Sequence, residues 1–173
     1  GPGAPPLTIT VNISGKQLVH PGLVADVTEA LDLAGLPPQS LVLEMTESTL
    51  VDHSRATLDR LWMLRGLGVR LAIDDFGTGY SSLGYLERFP VNLLKIDKAF
   101  VDRVGAVGNE SPLARAILGL GGALGMRVVA EGIETAAQWQ RLRELGCELG
   151  QGYFIAKPLP ADEAVKMLAA TVV

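Results

Sequence analysis

The chain has 173 residues, 48% hydrophobic, 20% charged and 5% aromatic, a globular composition that excludes disordered and fibrous classes. Lys plus Arg number 15 against 19 Asp plus Glu, and the resulting formal charge of −4 argues against binding duplex nucleic acid and against coating an anionic membrane. The single Cys147 excludes an internal disulfide and fits a reducing, cytoplasmic compartment.

Residues 1–6, Gly-Pro-Gly-Ala-Pro-Pro, suit neither helix nor strand. They are expected to be a linker or tag remnant ahead of one domain over 7–173, with no secretory leader in view. A β-branched strand is expected over 7–14. A helix follows over 21–35, with Leu23, Val24, Val27, Ala30, Leu31 and Ala34 at helical spacing and Gly35 as its stop. Residues 41–46 (LVLEMT) form a short apolar strand. Residues 54–67 form a helix with Leu58, Leu61, Trp62 and Leu64 on its core face. A strand over 69–73 leads to a short helix over 81–89 that Pro90 ends. After a strand at 93–96, a helix over 112–125 starts with Ser111 as cap and Pro112 at its first position. The last elements are a strand at 127–130, a helix at 135–146 capped by Thr135, a weaker strand at 148–155 and a helix at 160–170. The apolar run at 116–126 is too short to span a bilayer and contains glycines. Six strand–helix repeats with continuous apolar strands predict an α/β fold with a parallel sheet covered on both faces.

The polar residues fall at the strand ends. Asn12 and Ser14 end the first strand, and Glu44, Thr46 and Glu47 the second. Asp74 and Asp75 end the third, Lys95 and Asp97 the fourth, and Glu131 and Glu134 the fifth, while Gln151 lies in the sixth. In a parallel α/β fold these ends share one rim, the usual place of an active site. Carboxylates so gathered repel one another unless something neutralises them. With oxygen donors and no His or Cys at the rim, Mg²⁺, Mn²⁺ or Ca²⁺ is favoured over zinc. Two such ions, roughly 3.5–4 Å apart, suit phosphoester cleavage. Lys95 then serves as a fixed positive charge, or as a depressed-pKa group beside an attacking water.

Each acid has a plainer explanation as a helix cap or dipole partner. That account is weakest for Asp74-Asp75 behind an apolar strand, where alternation sends at least one side chain to the rim. It is weak also for Glu44, whose position inside a buried strand demands a metal or a lysine. Asn12 and Gln151 alone could be structural amides. His20 and His53 are expected on the surface or in caps, and Trp62 and Trp139 in helix–sheet packing. Gly77-Thr78-Gly79 lets the loop after the acid pair turn tightly and bring backbone amides near an anion. The glycines from Gly119 to Gly125 lie within a helix and do not form a dinucleotide fingerprint.

Asn12-Ile13-Ser14, Glu44-Met45-Thr46-Glu47, Asp74-Asp75-Phe76-Gly77-Thr78-Gly79, Lys95-Ile96-Asp97, Glu131-Gly132-Ile133-Glu134 and Gln151-Gly152-Tyr153 resemble, in order, the signature of the EAL domain family. These bacterial phosphodiesterases hydrolyse cyclic di-GMP to linear pGpG. The resemblance implies a TIM-like (β/α) barrel and a hydrolase using two ions, Mg²⁺ or Mn²⁺, with Ca²⁺ inhibiting. It implies Asn12, Glu44, Asp74 and Asp75 as metal ligands, and Lys95 and Glu131 as catalytic groups. Lys95 would position the nucleophilic water, and Glu131 would act as ligand or general base. Asp97, Glu134 and Gln151 would support them, Glu47 would anchor the loop after Asp75, and the 76–82 loop would be a lid and dimer contact.

The namesake Glu-Ala-Leu motif belongs upstream of Asn12, where this chain has no counterpart. Six strands are expected where the barrel needs eight, so the fold is expected to be an N-terminally truncated, incomplete barrel. From that follow weak or absent turnover and self-association through open barrel edges or the 76–82 loop. The other functions considered are a catalytically silent module that binds cyclic di-GMP or a protein and, setting the resemblance aside, another metal barrel acting on a phosphoester or an enolate. The domain itself is expected to make no membrane contact, though it could be the cytoplasmic part of a membrane-anchored protein.

Overall fold

A computed structural model describes residues 7–51, 54–78, 83–104 and 112–171. Strands β1 (Ile9–Asn12), β2 (Leu41–Thr46), β3 (Arg70–Phe76), β4 (Leu93–Ile96), β5 (Arg127–Ala130) and β6 (Leu149–Gly150) make one sheet in sequence order, every neighbouring pair parallel. Helices α1 (Gly15–Val19), α2 (Leu23–Ala34), α3 (Glu47–Val51), α4 (Arg55–Leu67), α5 (Leu83–Leu86), α6 (Lys98–Val101), α7 (Pro112–Ala123), α8 (Ala136–Glu144) and α9 (Ala161–Thr171) connect or follow the strands. This is the parallel α/β sheet that the alternation predicts, in the incomplete TIM-like barrel form that the family resemblance implies. No helix among the described residues is long and apolar enough to cross a membrane.

Local chemistry starts and stops the helices. Ser14 with Gln17, and Thr135 with Gln138, form capping boxes, and Ser54 accepts from the Thr57 amide at the head of α4. Gly35 and Gly68 end α2 and α4 in the left-handed conformation. The short helices α1, α3 and α6 have only 4 or 5 residues each, too few to display a helical period, and the sequence pattern did not reveal them. Two expectations fail. The sixth strand is two residues long, because residues 152–155 turn away from the sheet. Trp62 lies on the outer side of α4, 51% exposed with the Arg65 guanidinium over its ring, whereas Trp139 packs against the core. The Ser111 cap, His53 and residues 81–82 lie outside the described residues, and the helix expected over 81–89 covers only Leu83–Leu86.

The sheet has two apolar faces. On one, Leu43, Met45, Leu71, Ile73, Leu94 and Ile96 pack against helical residues such as Leu61, Leu64, Ile117 and Leu142. Each fully buried leucine or isoleucine there contributes about 1.5–3 kcal/mol. On the other, Val42, Ala72 and Leu93 pack with Val129 and Leu149. In parallel register, residues two apart share a face, so this second cluster continues upward into Glu44, Asp74 and Lys95, and past the ends of β5 and β6 into Glu131 and Gln151. The concave face therefore has an apolar floor under a charged rim. Edge strand β1 differs from the covered strands, being exposed at all of its positions.

Candidate functional site

The rim owes its geometry to a slip in β3. Ile73 pairs with Leu94 while Phe76 pairs with Ile96, so β3 has one residue more than β4 between the two pairings. The surplus falls at Asp74-Asp75, and Asp75 takes φ 54, the one positive φ outside glycine among the described residues. A bulge cancels the alternation that would send neighbouring side chains apart. Both carboxylates consequently reach the rim, where oxygens of Asp74, Asp75 and Glu131 lie within 4.8 Å of one another. The left-handed aspartate costs roughly 1–2 kcal/mol. Local bonds offset this: the Asp75 amide donates to Asp74 Oδ1 (3.0 Å), and Asp75 O accepts from the Thr78 hydroxyl (2.8 Å) and amide (3.3 Å).

Lys95 is the hub. Its Nζ lies 2.7 Å from Glu44 Oε2, 3.0 Å from Asp74 Oδ1 and 2.5 Å from Glu131 Oε1, so three donors meet three carboxylates. Its side chain is only 5% exposed. Burial alone would favour the neutral amine, but hydrogen bonds to Glu131, Glu44 and Asp74 outweigh it and raise its pKa above the ordinary lysine value. Lys95 is thus a fixed positive charge, and the depressed-pKa role does not hold. One ammonium leaves negative charge in excess among the acids. Burial, with repulsion from Asp74, pushes Glu131 up to about 7 against the pull of Lys95. Burial likewise raises Glu44, and burial with repulsion from Asp74 and Asp97 raises Asp75.

The remaining residues divide. Gln151, just past β6, donates to Glu131 Oε1 at 2.6 Å. Glu47 is buried and accepts from the Gly77 amide at 2.9 Å, tying the loop after Asp75 to the end of β2. Asp97 caps α6 through the Ala99 amide (2.7 Å) and stands near enough to Asp75 to help raise its carboxyl pKa. Asn12 lies at the exposed end of β1, paired in register with Glu44. Glu134 turns away from the acid cluster and pairs with Lys98 at 3.0 Å. Gly79 and most of the 76–82 loop lie outside the described residues. Sequence reasoning missed Lys98, Asp102 and Gln138, which brace the segment after Glu131; their one signal was Lys98's place directly after Asp97. A literal Glu29-Ala30-Leu31 also occurs, but in α2 with Glu29 exposed, in the helical layer rather than on the rim.

The donor set suits a hard divalent cation. Three carboxylates converge, all the donors are oxygens, and burial together with mutual repulsion raises the carboxyls of Glu131 and Asp75, a strain that a cation would relieve.

Comparison with known proteins agrees with this geometry. The EAL domain description matches residues 2–158. The chain is 44% identical over 161 residues to the bifunctional diguanylate cyclase/cyclic di-GMP phosphodiesterase MucR of Pseudomonas aeruginosa, covering 93% of this chain and 24% of that protein. The chain spans about a fifth to a quarter of the length of the curated relatives it matches. In structure it resembles the PaMucR phosphodiesterase in complex with c-di-GMP, with a TM-score of 0.84 and 44% identity, covering 91% of this chain and 70% of that one. It resembles the EAL domain of Mycobacterium smegmatis DcpA with a TM-score of 0.88 and 41% identity, covering 94% and 73%. The manganese and c-di-GMP complex of Klebsiella pneumoniae BlrP1 matches with a TM-score of 0.75 and 33% identity, covering 84% and 38%. With its acid-lined rim on a parallel barrel sheet and a family match across most of its length, the chain belongs to the EAL domain family.

Proposed function

We propose that this chain is a cyclic di-GMP phosphodiesterase domain that hydrolyses c-di-GMP to pGpG with two divalent ions, Mg²⁺ or Mn²⁺, is inhibited by Ca²⁺, and turns over only weakly with the six-stranded sheet by itself. The observation that carries the reading is the convergence of Asp74, Asp75 and Glu131 beside Lys95 at the C-terminal rim of the sheet. Asn12, Glu44, Asp74 and Asp75 would hold the ions, which when bound supply Lewis acidity and a water that ionises near neutral pH. The chemistry is addition of water across one P–O3′ bond, opening the ring to a linear dinucleotide with a 5′ phosphate.

In this reading Lys95 keeps Glu44, Asp74 and Glu131 aligned and offers positive charge to the attacked phosphate. Glu131, hydrogen-bonded to Lys95 and Gln151 beside Asp74, is placed to take the proton of the attacking water. Gln151 fixes the Glu131 carboxylate and Glu47 fixes the loop after Asp75, while Asp97 adds a further acid beside Asp75. The test is chromatographic detection of pGpG with Mn²⁺ and with Mg²⁺, beside calorimetric c-di-GMP binding in Ca²⁺. Weak release that D74N and E131Q abolish is expected. Tight c-di-GMP binding with no release under either ion would make the chain a silent binding module instead.

A further inference from the structure

We infer that Lys98 is a positioning residue for Glu131, bracing the 131–134 turn against α6 through its stem on Gly132 and its ammonium on Glu134; the inference rests on Glu131 serving the metal site. The turn leaves β5 with the Glu131 amide bonded to Ile96 O at 3.1 Å, so its first residue is fixed to β4. The next residue, Gly132, has φ +67, and a Cβ placed there would stand 2.5 Å from Lys98 Cγ and 2.7 Å from Lys98 Cβ. The lysine stem thus occupies the space a side chain would need, and the backbone of Gly132 rests on it. Beyond the stem, Nζ lies 3.0 Å from Glu134 Oε1 and 2.7 Å from Asp102 Oδ1. Gln138 closes the frame: its Oε1 accepts from the Glu134 amide (2.8 Å) and the Thr135 amide (2.9 Å), and its Nε2 donates to Asp102 (3.5 Å).

Glu131 is therefore held on one side by Lys95 and Gln151 and on the other by a turn whose next residue leans on Lys98. The Lys98 ion pairs are about half exposed, and such pairs contribute little to stability. What the residue supplies is placement, with the stem doing more than the charge.

The test is calorimetric Mn²⁺ titration of the whole chain with thermal unfolding of the same samples, for wild type, E131Q, K98A, K98M, K98R and K98A/E131Q. K98A is expected to weaken Mn²⁺ binding about tenfold, in the range of changes to residues that orient ligands. K98M should lose less and K98R should restore binding, with unfolding midpoints close to wild type. In the E131Q background K98A should add no further loss. Wild-type Mn²⁺ affinity in K98A alongside weak binding in E131Q overturns the positioning role and leaves the metal reading standing. An equal loss from K98A in both backgrounds shows a general packing effect and also overturns it. Wild-type affinity in E131Q removes Glu131 from the metal site and the inference with it.

Discussion

The Glu47 carboxylate accepts a 2.9 Å hydrogen bond from the Gly77 amide, joining the first residue of α3 to the loop that follows Asp75 across 30 positions of chain. Glu47 is 3% exposed, so the bond lies out of reach of bulk water. The same loop carries Thr78, whose hydroxyl and amide hold Asp75 O in the bulge. Through Gly77 and Thr78, Glu47 helps to keep Asp75 on the rim.

Removing that acceptor should therefore cost stability and metal affinity together. Glu47→Ala is expected to lower stability by about 1–2 kcal/mol, the cost of an unpaired donor, and to weaken Mn²⁺ binding. Glu47→Gln, which can still accept from Gly77, should lose less of both. Urea unfolding and calorimetry on the pair measure it; equal losses for the two variants would show that the bond is not what matters.

Lys95 offers a sharper case, because it pairs with three buried or half-buried carboxylates at once. Lys95→Met keeps the stem and removes the charge, leaving the acids uncompensated. At alkaline pH, without metal, the loss should be on the order of 3–5 kcal/mol, the scale for a broken buried pair. Acidification should return part of it, since protons can replace the missing ammonium. Chemical denaturation of the variant at pH 5 and pH 8 tests this; a pH-independent loss would contradict the neutralising role. In a turnover assay Lys95→Met should cut kcat far more than c-di-GMP affinity.

The folded-state pKa of Glu131, about 7, lies above its ordinary value of 4.5. Between these two values the folded chain holds a proton that the unfolded chain has released, so stability falls as pH rises. The Glu131 contribution is fully present below about 4.5 and lost once pH passes about 7. With a chelator present, wild type should therefore weaken relative to E131Q across that window. A difference between the two proteins that stays constant from pH 4 to 8 would rule this out.

Gly152 sets the docking of the segment that carries Gln151. A Cβ there would fall 2.2 Å from both Ile133 N and Ile133 O, backbone atoms that cannot swing aside. The Ile133 amide donates to Gln151 O and Ile133 O accepts from the Phe154 amide, so the clash would part the two turns that meet beside Glu131. Gly152→Ala should cost about 2 kcal/mol or more and release Gln151 from Glu131. A urea midpoint unchanged from wild type would refute it.

Much of this protein was legible in the sequence. Apolar runs bounded by caps, glycines and prolines located the six strands, because burial in a parallel sheet demands continuous hydrophobicity. Polar residues at the ends of those runs marked the rim, since a buried strand tolerates charge only where it emerges or finds a partner. The ordered motifs from Asn12 to Tyr153 identified the family. Other features depended on contacts between distant segments. The bulge that brings Asp75 beside Asp74 is a slip of register against β4, and a single strand's alternation does not contain it. The exposure of Trp62 depends on which side of α4 the sheet occupies. The protonated state of Lys95 arises only when Glu44, Asp74 and Glu131, from three different strand ends, arrive around one ammonium. Local chemistry chose the elements, while the electrostatics of the rim are a sum over groups far apart in sequence, which only the folded arrangement brings within hydrogen-bonding reach.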